Sequence, residues 1–328
     1  MTSPNLSAEV TAWCFTELGS PPLEVLHSSE QMSSVLGLRL ESGEEVALKT
    51  RPDDPAGRGA ACVAVQQEAA RAGQPVARPL TPARAVLGPG GERLVRHAEV
   101  WRAGGEMMRD DGRWAAALAA VALAALMKTL ERLDTPTPIV SPPWVGWDHE
   151  GPDVFPPIPF LDERDQRAVP AALMEAARQA KELLRASPLP HVVGHADFEA
   201  QNLRWHDDVL WCIHDFDSVA TTPEAAFVGA AAGAFCSQET PTLAPLASSQ
   251  VFLRAYQEAR TRSFSAHEIR VAWAAGLWPA VWNARAEALF DHPRATTEPL
   301  LAQVEERSRL AGLPGITVRQ RREPRTGT

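Results

Sequence analysis

The chain has 328 residues, enough for two domains or one domain of two lobes, and enough core to fold without disulfide or metal staples. It carries 32 basic and 41 acidic residues, a formal net charge of −9. That excludes a nucleic-acid binder built on a large basic surface and leaves room for a cationic small molecule at an acidic site. Hydrophobic residues make up 45% and charged residues 22%, which excludes wholesale disorder.

Residues 7 to 18 read as a helix ended by Gly19, with Pro21 and Pro22 beyond it. Strand-like runs follow at Leu23–Leu26, Val35–Leu40 and Val46–Leu48, with a hairpin turn at Ser42-Gly43. Residues 60 to 72 read as a helix that stops at Gly73. Strands return at Ala83–Leu87 and Arg93–Trp101, joined by Gly88-Pro89-Gly90-Gly91. After Arg102–Gly105 the character changes. An Ala/Leu helix over 113–133 is followed by the Pro-rich loop Thr135–Pro143, and Gly151–Pro159 is also loop. The most apolar run, Trp114 to Met127, is shorter than the ~18 residues of a membrane span, which predicts a buried helix. Further helices are expected at 170–186, 223–236, 245–260, 266–290 and 295–311, with a short hairpin at 202–214.

This layout predicts an α+β protein of two lobes. Residues 1–101 form a small antiparallel-sheet lobe with one inserted helix and a preceding one, and residues 102–311 form a larger, mostly helical lobe. Residues 312–328 form a basic, disordered tail carrying Arg319, Arg321, Arg322 and Arg325. Ligands are expected in a cleft between the lobes. The cysteines Cys14, Cys62, Cys212 and Cys236 have no C-x-x-C spacing and read as reduced, buried thiols. Met1–Asn5 has no basic region followed by an apolar core. The expectation is a soluble cytoplasmic protein with neither nucleic-acid nor membrane partners.

The segment Gly194-His195-Ala196-Asp197-Phe198-Glu199-Ala200-Gln201-Asn202 carries the chemistry, together with Asp215 in Ile213-His214-Asp215-Phe216-Asp217. Folding the intervening residues as a hairpin sets Trp205 opposite about Leu210 and Asn202 opposite about Ile213. Asn202 and Asp215 then share its open end. Two hard oxygen ligands side by side suit Mg²⁺, which fills its octahedron with water and phosphate. Asp197, on the entering loop, is placed to orient a hydroxyl and accept its proton during phosphoryl transfer.

His-x-Asp-x4-Asn followed by Asp-Phe-x resembles the catalytic and metal loops of the protein-kinase-like superfamily, and most closely the aminoglycoside phosphotransferase and choline kinase-like branch. The resemblance covers about residues 20 to 290. It implies a bilobal kinase fold that transfers the γ-phosphoryl group of ATP to a hydroxyl of an aminoglycoside, amino sugar or similar metabolite or antibiotic, an acceptor that the charge allows to be cationic. Carried over, Asp197 is the catalytic aspartate, Asn202 and Asp215 are the Mg²⁺ ligands, and His195 holds the loop in shape. Val46-Ala47-Leu48-Lys49 resembles the strand whose Lys contacts the phosphates, and Glu68 on the following helix is its expected partner. Backbone groups near Glu99 to Trp101 are expected to meet the adenine edge. There is no G-x-G-x-x-G; His27–Ser34 takes that place, with Ser28 and Ser29 toward phosphate.

Asp217 divides evenly between capping its turn and acting as a third carboxylate near metal or substrate. Trp273, Trp278 and Trp282 recur on one broad helix face and read mainly as core. The late helices border the acceptor in the family, which makes Trp278, Asn283 and Glu287 the candidates for an acceptor wall. Two competing readings are a nucleotide-binding regulatory module without turnover, and a metal hydrolase using His191, His195, Asp197, His206 and His214.

Overall fold

Ser7 starts the first helix. Its side chain accepts the Val10 N–H at 3.1 Å, and α1 (Ala8–Leu18) runs until Gly19 turns left-handed at φ 76°. Val10, Trp13 and Cys14 are its buried residues, packed with Leu38, Leu40, Val46, Leu48 and Ala98. Burying each of those Leu and Val side chains stabilises the fold by about 1.5–3 kcal/mol. These partners belong to a five-stranded antiparallel sheet of β1 (Pro22–Glu30), β2 (Ser34–Leu40), β3 (Glu45–Pro52), β4 (Arg84–Leu87) and β5 (Arg93–Val100), ordered β1-β2-β3-β5-β4. Between β3 and β4 lies α2 (Arg58–Arg71), whose Cys62, Val65, Gln66 and Ala69 form its buried face.

The computed structural model describes residues 6–30, 33–53, 57–133 and 139–316. The predicted basic tail from Val318 on, Gln31 and Met32 of the predicted phosphate loop, and the start of the Pro-rich loop lie outside the described residues. Beyond the sheet come α3 (Arg113–Leu130), the one-turn α4 (Pro159–Asp162), α5 (Ala171–Arg185), β6 (His191–His195), the hairpin β7 (Leu203–His206) and β8 (Val209–Ile213), and β9 (Val219–Pro223). The chain then runs through α6 (Glu224–Ala234), α7 (Leu246–Arg260), α8 (Ala266–Phe290) and α9 (Thr297–Leu310). The long helices fall where sequence periodicity puts them. The sequence did not show β6, β9 and α4, which are too short to display a period and adjoin prolines.

Two glycines let α6 and α8 approach closely: a Cβ on Gly276 would lie 2.8 Å from the Gly229 carbonyl oxygen. A capping box starts α8, with Ser265 accepting the Glu268 N–H and Glu268 accepting the Ser265 N–H. Among the described residues, α3 alone is long and apolar enough to cross a membrane, with mean hydropathy 1.4; 56% of it is buried in the protein, as in a core helix.

The chain clusters into two compact units built from separate stretches. The first holds residues 1–107, 126–140 and 202–221, and the second 108–125, 141–201 and 222–328. The β7–β8 hairpin therefore clusters with the sheet, away from its sequence neighbours in the helical part. Its backbone explains this: Ile213 N–H donates to the Pro75 carbonyl at 2.7 Å, and Trp205 and Glu106 exchange both backbone bonds at 2.7 and 2.9 Å. All four cysteines are free and buried. Burial pushes the thiols of Cys14, Cys62 and Cys212 up to about 11 and that of Cys236 to about 12.

Candidate active site

The Asp197 loop belongs to the second unit. It leaves β6 at His195, which is 1% exposed. His195 Nδ1 accepts the Asp197 backbone N–H at 3.2 Å, and its ring packs edge-on against Phe198 at 6.0 Å. The Asp197 carbonyl in turn accepts the Glu199 N–H at 3.0 Å. Gly194 is required just before this turn, because a Cβ there would meet the Phe227 ring at 2.6 Å. The loop is thus fixed by its own backbone and a buried imidazole, with the Asp197 side chain half-buried.

Asn202 and Asp215 belong to the first unit and flank the open end of the β7–β8 hairpin. The register departs from the sequence expectation by one residue. Trp205 does face Leu210, but Leu203 faces Ile213, because a bulge falls between Arg204 and Trp205. One step further out, the His214 N–H donates to the Asn202 carbonyl at 2.7 Å, which holds the two positions together. Asp215 adopts the left-handed conformation at φ 56°, and its Oδ2 accepts the Ser218 hydroxyl at 2.7 Å. An amide oxygen and a carboxylate form a hard donor set that fits Mg²⁺ sharing its shell with phosphate and water. Among the described residues no cluster of three His, Cys, Asp or Glu could hold a metal, so the hydrolase alternative finds no cage. Burial, with the Lys49 charge adding to it, pushes His214 down to about 4.

Lys49 does not pair with Glu68. Its Nζ lies 3.0 Å from Glu99 Oε1, and both side chains are buried. Glu99 Oε2 accepts Gln66 Nε2 at 2.7 Å, and the same amide donates to the Ala77 carbonyl at 2.7 Å. Glu68 instead pairs with Arg71 on the exposed side of α2. The reason is helical geometry: two residues of helix turn by about 200°, so with Cys62, Val65 and Ala69 facing inward, position 66 faces inward and position 68 outward. That face is legible in the sequence, but a glutamine on it carries no charge that would mark it as belonging to a lysine site. Burial disfavours the Lys49 ammonium, yet Glu99, with Asp217 and Asp215 behind it, lifts its pKa above the ordinary value. Burial likewise disfavours the Glu99 carboxylate, and Lys49 outweighs it and holds Glu99 well below the usual range.

Asp217 is engaged by a cation, a role that neither of its two expectations named. It pairs with Arg51, whose Nη2 donates to the Gly59 carbonyl at 2.9 Å. Burial opposes its charge, but Arg51 and then Lys49 hold the carboxyl below its ordinary value. Arg58 donates to the carbonyls of Asp217 and Val219, the latter at 2.7 Å, so α2 is strapped to the Asp215–Val219 stretch. The expected phosphate loop is mostly strand: Ser28 and Ser29 lie in β1, paired with Leu36 and Val35. The expected adenine edge is also sheet. Val100 N–H donates to the Arg78 carbonyl at 2.9 Å and Trp101 N–H to the Glu45 carbonyl at 3.1 Å, so these two donors are already used within the fold.

No family model and no curated protein matches the sequence. Solved structures do match the fold. An aminoglycoside phosphotransferase from Alicyclobacillus acidocaldarius superposes with TM-score 0.53 at 15% identity, covering 95% of this chain and 96% of that one. The fold is that of the aminoglycoside phosphotransferases. It extends to other small-molecule kinases. A microcompartment-associated aminopropanol kinase gives TM-score 0.59 at 14% identity, with 93% and 95% covered. An amicoumacin kinase in complex with AMP-PNP and Ca²⁺ gives 0.57 at 11%, with 96% and 92% covered. The kinase-like α+β fold expected from the sequence is therefore present along nearly the whole chain.

Within this phosphotransferase-like fold the expected acceptor wall on α8 needs correction. Trp278 is 0% exposed and packs against Trp147 and Phe155, so it is core and faces no ligand. Glu287 is buried and closed: its oxygens accept the Thr296 and Thr297 N–H groups at 2.7 and 2.9 Å and the Thr297 hydroxyl at 2.6 Å. It caps the start of α9, where a carboxylate meets unpaired N–H groups and the positive end of the helix dipole. Asn283 is half-buried.

Proposed function

We propose that this protein is a cytoplasmic small-molecule kinase that transfers the γ-phosphoryl group of ATP to a hydroxyl of an aminoglycoside, amino sugar or similar hydroxylated metabolite or antibiotic. The observation that carries this reading is the hairpin end, where the His214–Asn202 backbone bond keeps Asn202 beside the strand exit that leads to the left-handed Asp215. The buried cation Lys49 in the same unit adds to it. The neighbouring fold that holds AMP-PNP supports the choice of nucleotide.

In this reading Asp197 orients the acceptor hydroxyl and takes its proton as the oxygen bonds to the γ-phosphorus and the bond to the ADP oxygen breaks. His195 keeps that carboxylate in place through the Asp197 backbone. Asn202 and Asp215 would hold Mg²⁺, which supplies charge neutralisation at the β- and γ-phosphates. Lys49 contacts the phosphates, and the acceptor is drawn from hydroxylated compounds that include cationic ones, which the net charge of −9 accommodates.

The test is Mg²⁺-dependent ADP release in a coupled assay. Acceptors would be amino sugars, several aminoglycosides, amino alcohols including choline, and other hydroxylated antibiotics, with Asp197→Asn as the control. Acceptor-dependent turnover that disappears in the control is the expected result. Mg·ATP binding without turnover on any acceptor would favour a regulatory module, and no nucleotide binding would overturn the kinase reading.

A further inference from the structure

We infer that Glu99 on β5 is the residue that positions Lys49 for the ATP phosphates, so that the lysine is set by the sheet and not by helix α2. The inference rests on the kinase reading above. Kinases that use a strand lysine commonly hold it with a glutamate on the neighbouring helix, and movement of that helix makes or breaks the pair. Here the helix offers no carboxylate on its buried face: Gln66 faces inward, and Glu68 faces outward to Arg71.

The sheet register supplies the replacement. In the antiparallel β3–β5 ladder Ala47 faces Glu99 and Lys49 faces His97. Side chains alternate across a strand, so Lys49 and Ala47 share a face, and Glu99 sits diagonally from Lys49 on that face. The resulting pair spans 3.0 Å with side-chain exposures of 10% and 3%. A buried ammonium without a partner is strongly disfavoured, so Glu99 both permits the charge and fixes where it points. Gln66 contributes a neutral donor to the other oxygen of Glu99 and leaves the Lys49 contact to the sheet. His97 Nε2 stands 3.7 Å from that oxygen, beyond hydrogen-bond length. A displacement of α2 would remove one amide bond from Glu99 and leave the ion pair intact.

The test measures Mg·ATP and adenosine affinities by calorimetry on the full chain, for the wild type, Lys49→Ala, Glu99→Gln, Glu99→Asp and Glu68→Gln. Adenosine has no phosphates, so a positioning role shows in the ratio of the two affinities, whereas a merely structural defect weakens both. Lys49→Ala and Glu99→Gln should each weaken Mg·ATP by about tenfold or more and leave adenosine within about twofold. Glu68→Gln should stay within about twofold for both, as an exposed pair contributes little. If Glu99→Gln fails to fold, Glu99→Asp carries the test: it keeps the charge, draws it back by one methylene, and should weaken Mg·ATP selectively. The inference is overturned if Lys49→Ala weakens Mg·ATP but neither Glu99 variant does. Equal loss for both ligands in the Glu99 variants, or a Glu68→Gln loss matching Lys49→Ala, overturns it as well. Failure of the kinase reading looks different: the wild type itself would bind no Mg·ATP, and the inference would fall with it.

Discussion

Glu99 in the first unit and Glu287 in the second are both buried carboxylates, and they are satisfied in opposite ways. Glu99 meets a side-chain cation and a side-chain amide, Lys49 and Gln66. An ammonium has three donors, and the pair with Glu99 takes one. Glu287 meets two backbone N–H groups and a hydroxyl at the start of α9, and its capacity is used within the fold. A buried acid that holds a side-chain cation can serve a ligand, while one that closes a helix end serves stability. The residue type in the sequence is the same in both cases, so only the partners separate them.

That contrast can be broken by substitution. The largest expected effect is on the functional side. Asp215→Asn, which tolerates the left-handed conformation at this position, should cut acceptor-dependent turnover by about 10²–10³-fold or more while leaving the melting curve little changed; near wild-type turnover would remove Asp215 from the metal assignment. Next, Trp278→Ala should destabilise the protein by about 3–5 kcal/mol in denaturant unfolding, because it empties a fully buried site. Its Mg·ATP affinity should be retained, and a mild stability cost would return Trp278 to the acceptor wall. Glu287→Gln should cost about 1–3 kcal/mol, since one charged acceptor to the α9 N–H groups becomes a donor. If Mg·ATP or acceptor binding fell instead of stability, Glu287 would belong with Glu99. Smallest in stability is Asn283→Ala, expected within about 0.5 kcal/mol as a half-buried polar change. An acceptor KM raised by this variant would keep Asn283 at the acceptor, and an unchanged KM would dismiss it.

The comparison of Glu68 with Gln66 shows how far the site was legible. Position 66 shares a helix face with Cys62 and Ala69, and the sequence displays that periodicity. Charge alone favours Glu68 as the lysine's partner, but burial follows the face and leaves Glu68 exposed with Arg71. The partner then came from β5, through a register that no local pattern announces. The local structure of Ser28 and Ser29 differs for a related reason: polar residues next to a turn read as loop, yet β1 continues through them because β2 offers a ladder. The hairpin was legible to within one residue, and the bulge after Arg204 accounts for that residue.

The sequence by itself determined the long helices, the sheet strands, the turn glycines and the spacing of Asp197, Asn202 and Asp215. All of these depend on interactions within a few residues of chain, where periodicity, caps and turn chemistry act. Tertiary structure alone decided that the 202–221 hairpin clusters with the sheet, that Lys49 is held from β5, that Asp217 answers to Arg51, and that Glu287 closes a helix. Each of those outcomes matches a polar group to a partner outside its own helix or strand. Burial makes an unpaired charge or donor costly, so the group takes whichever partner packing brings within reach.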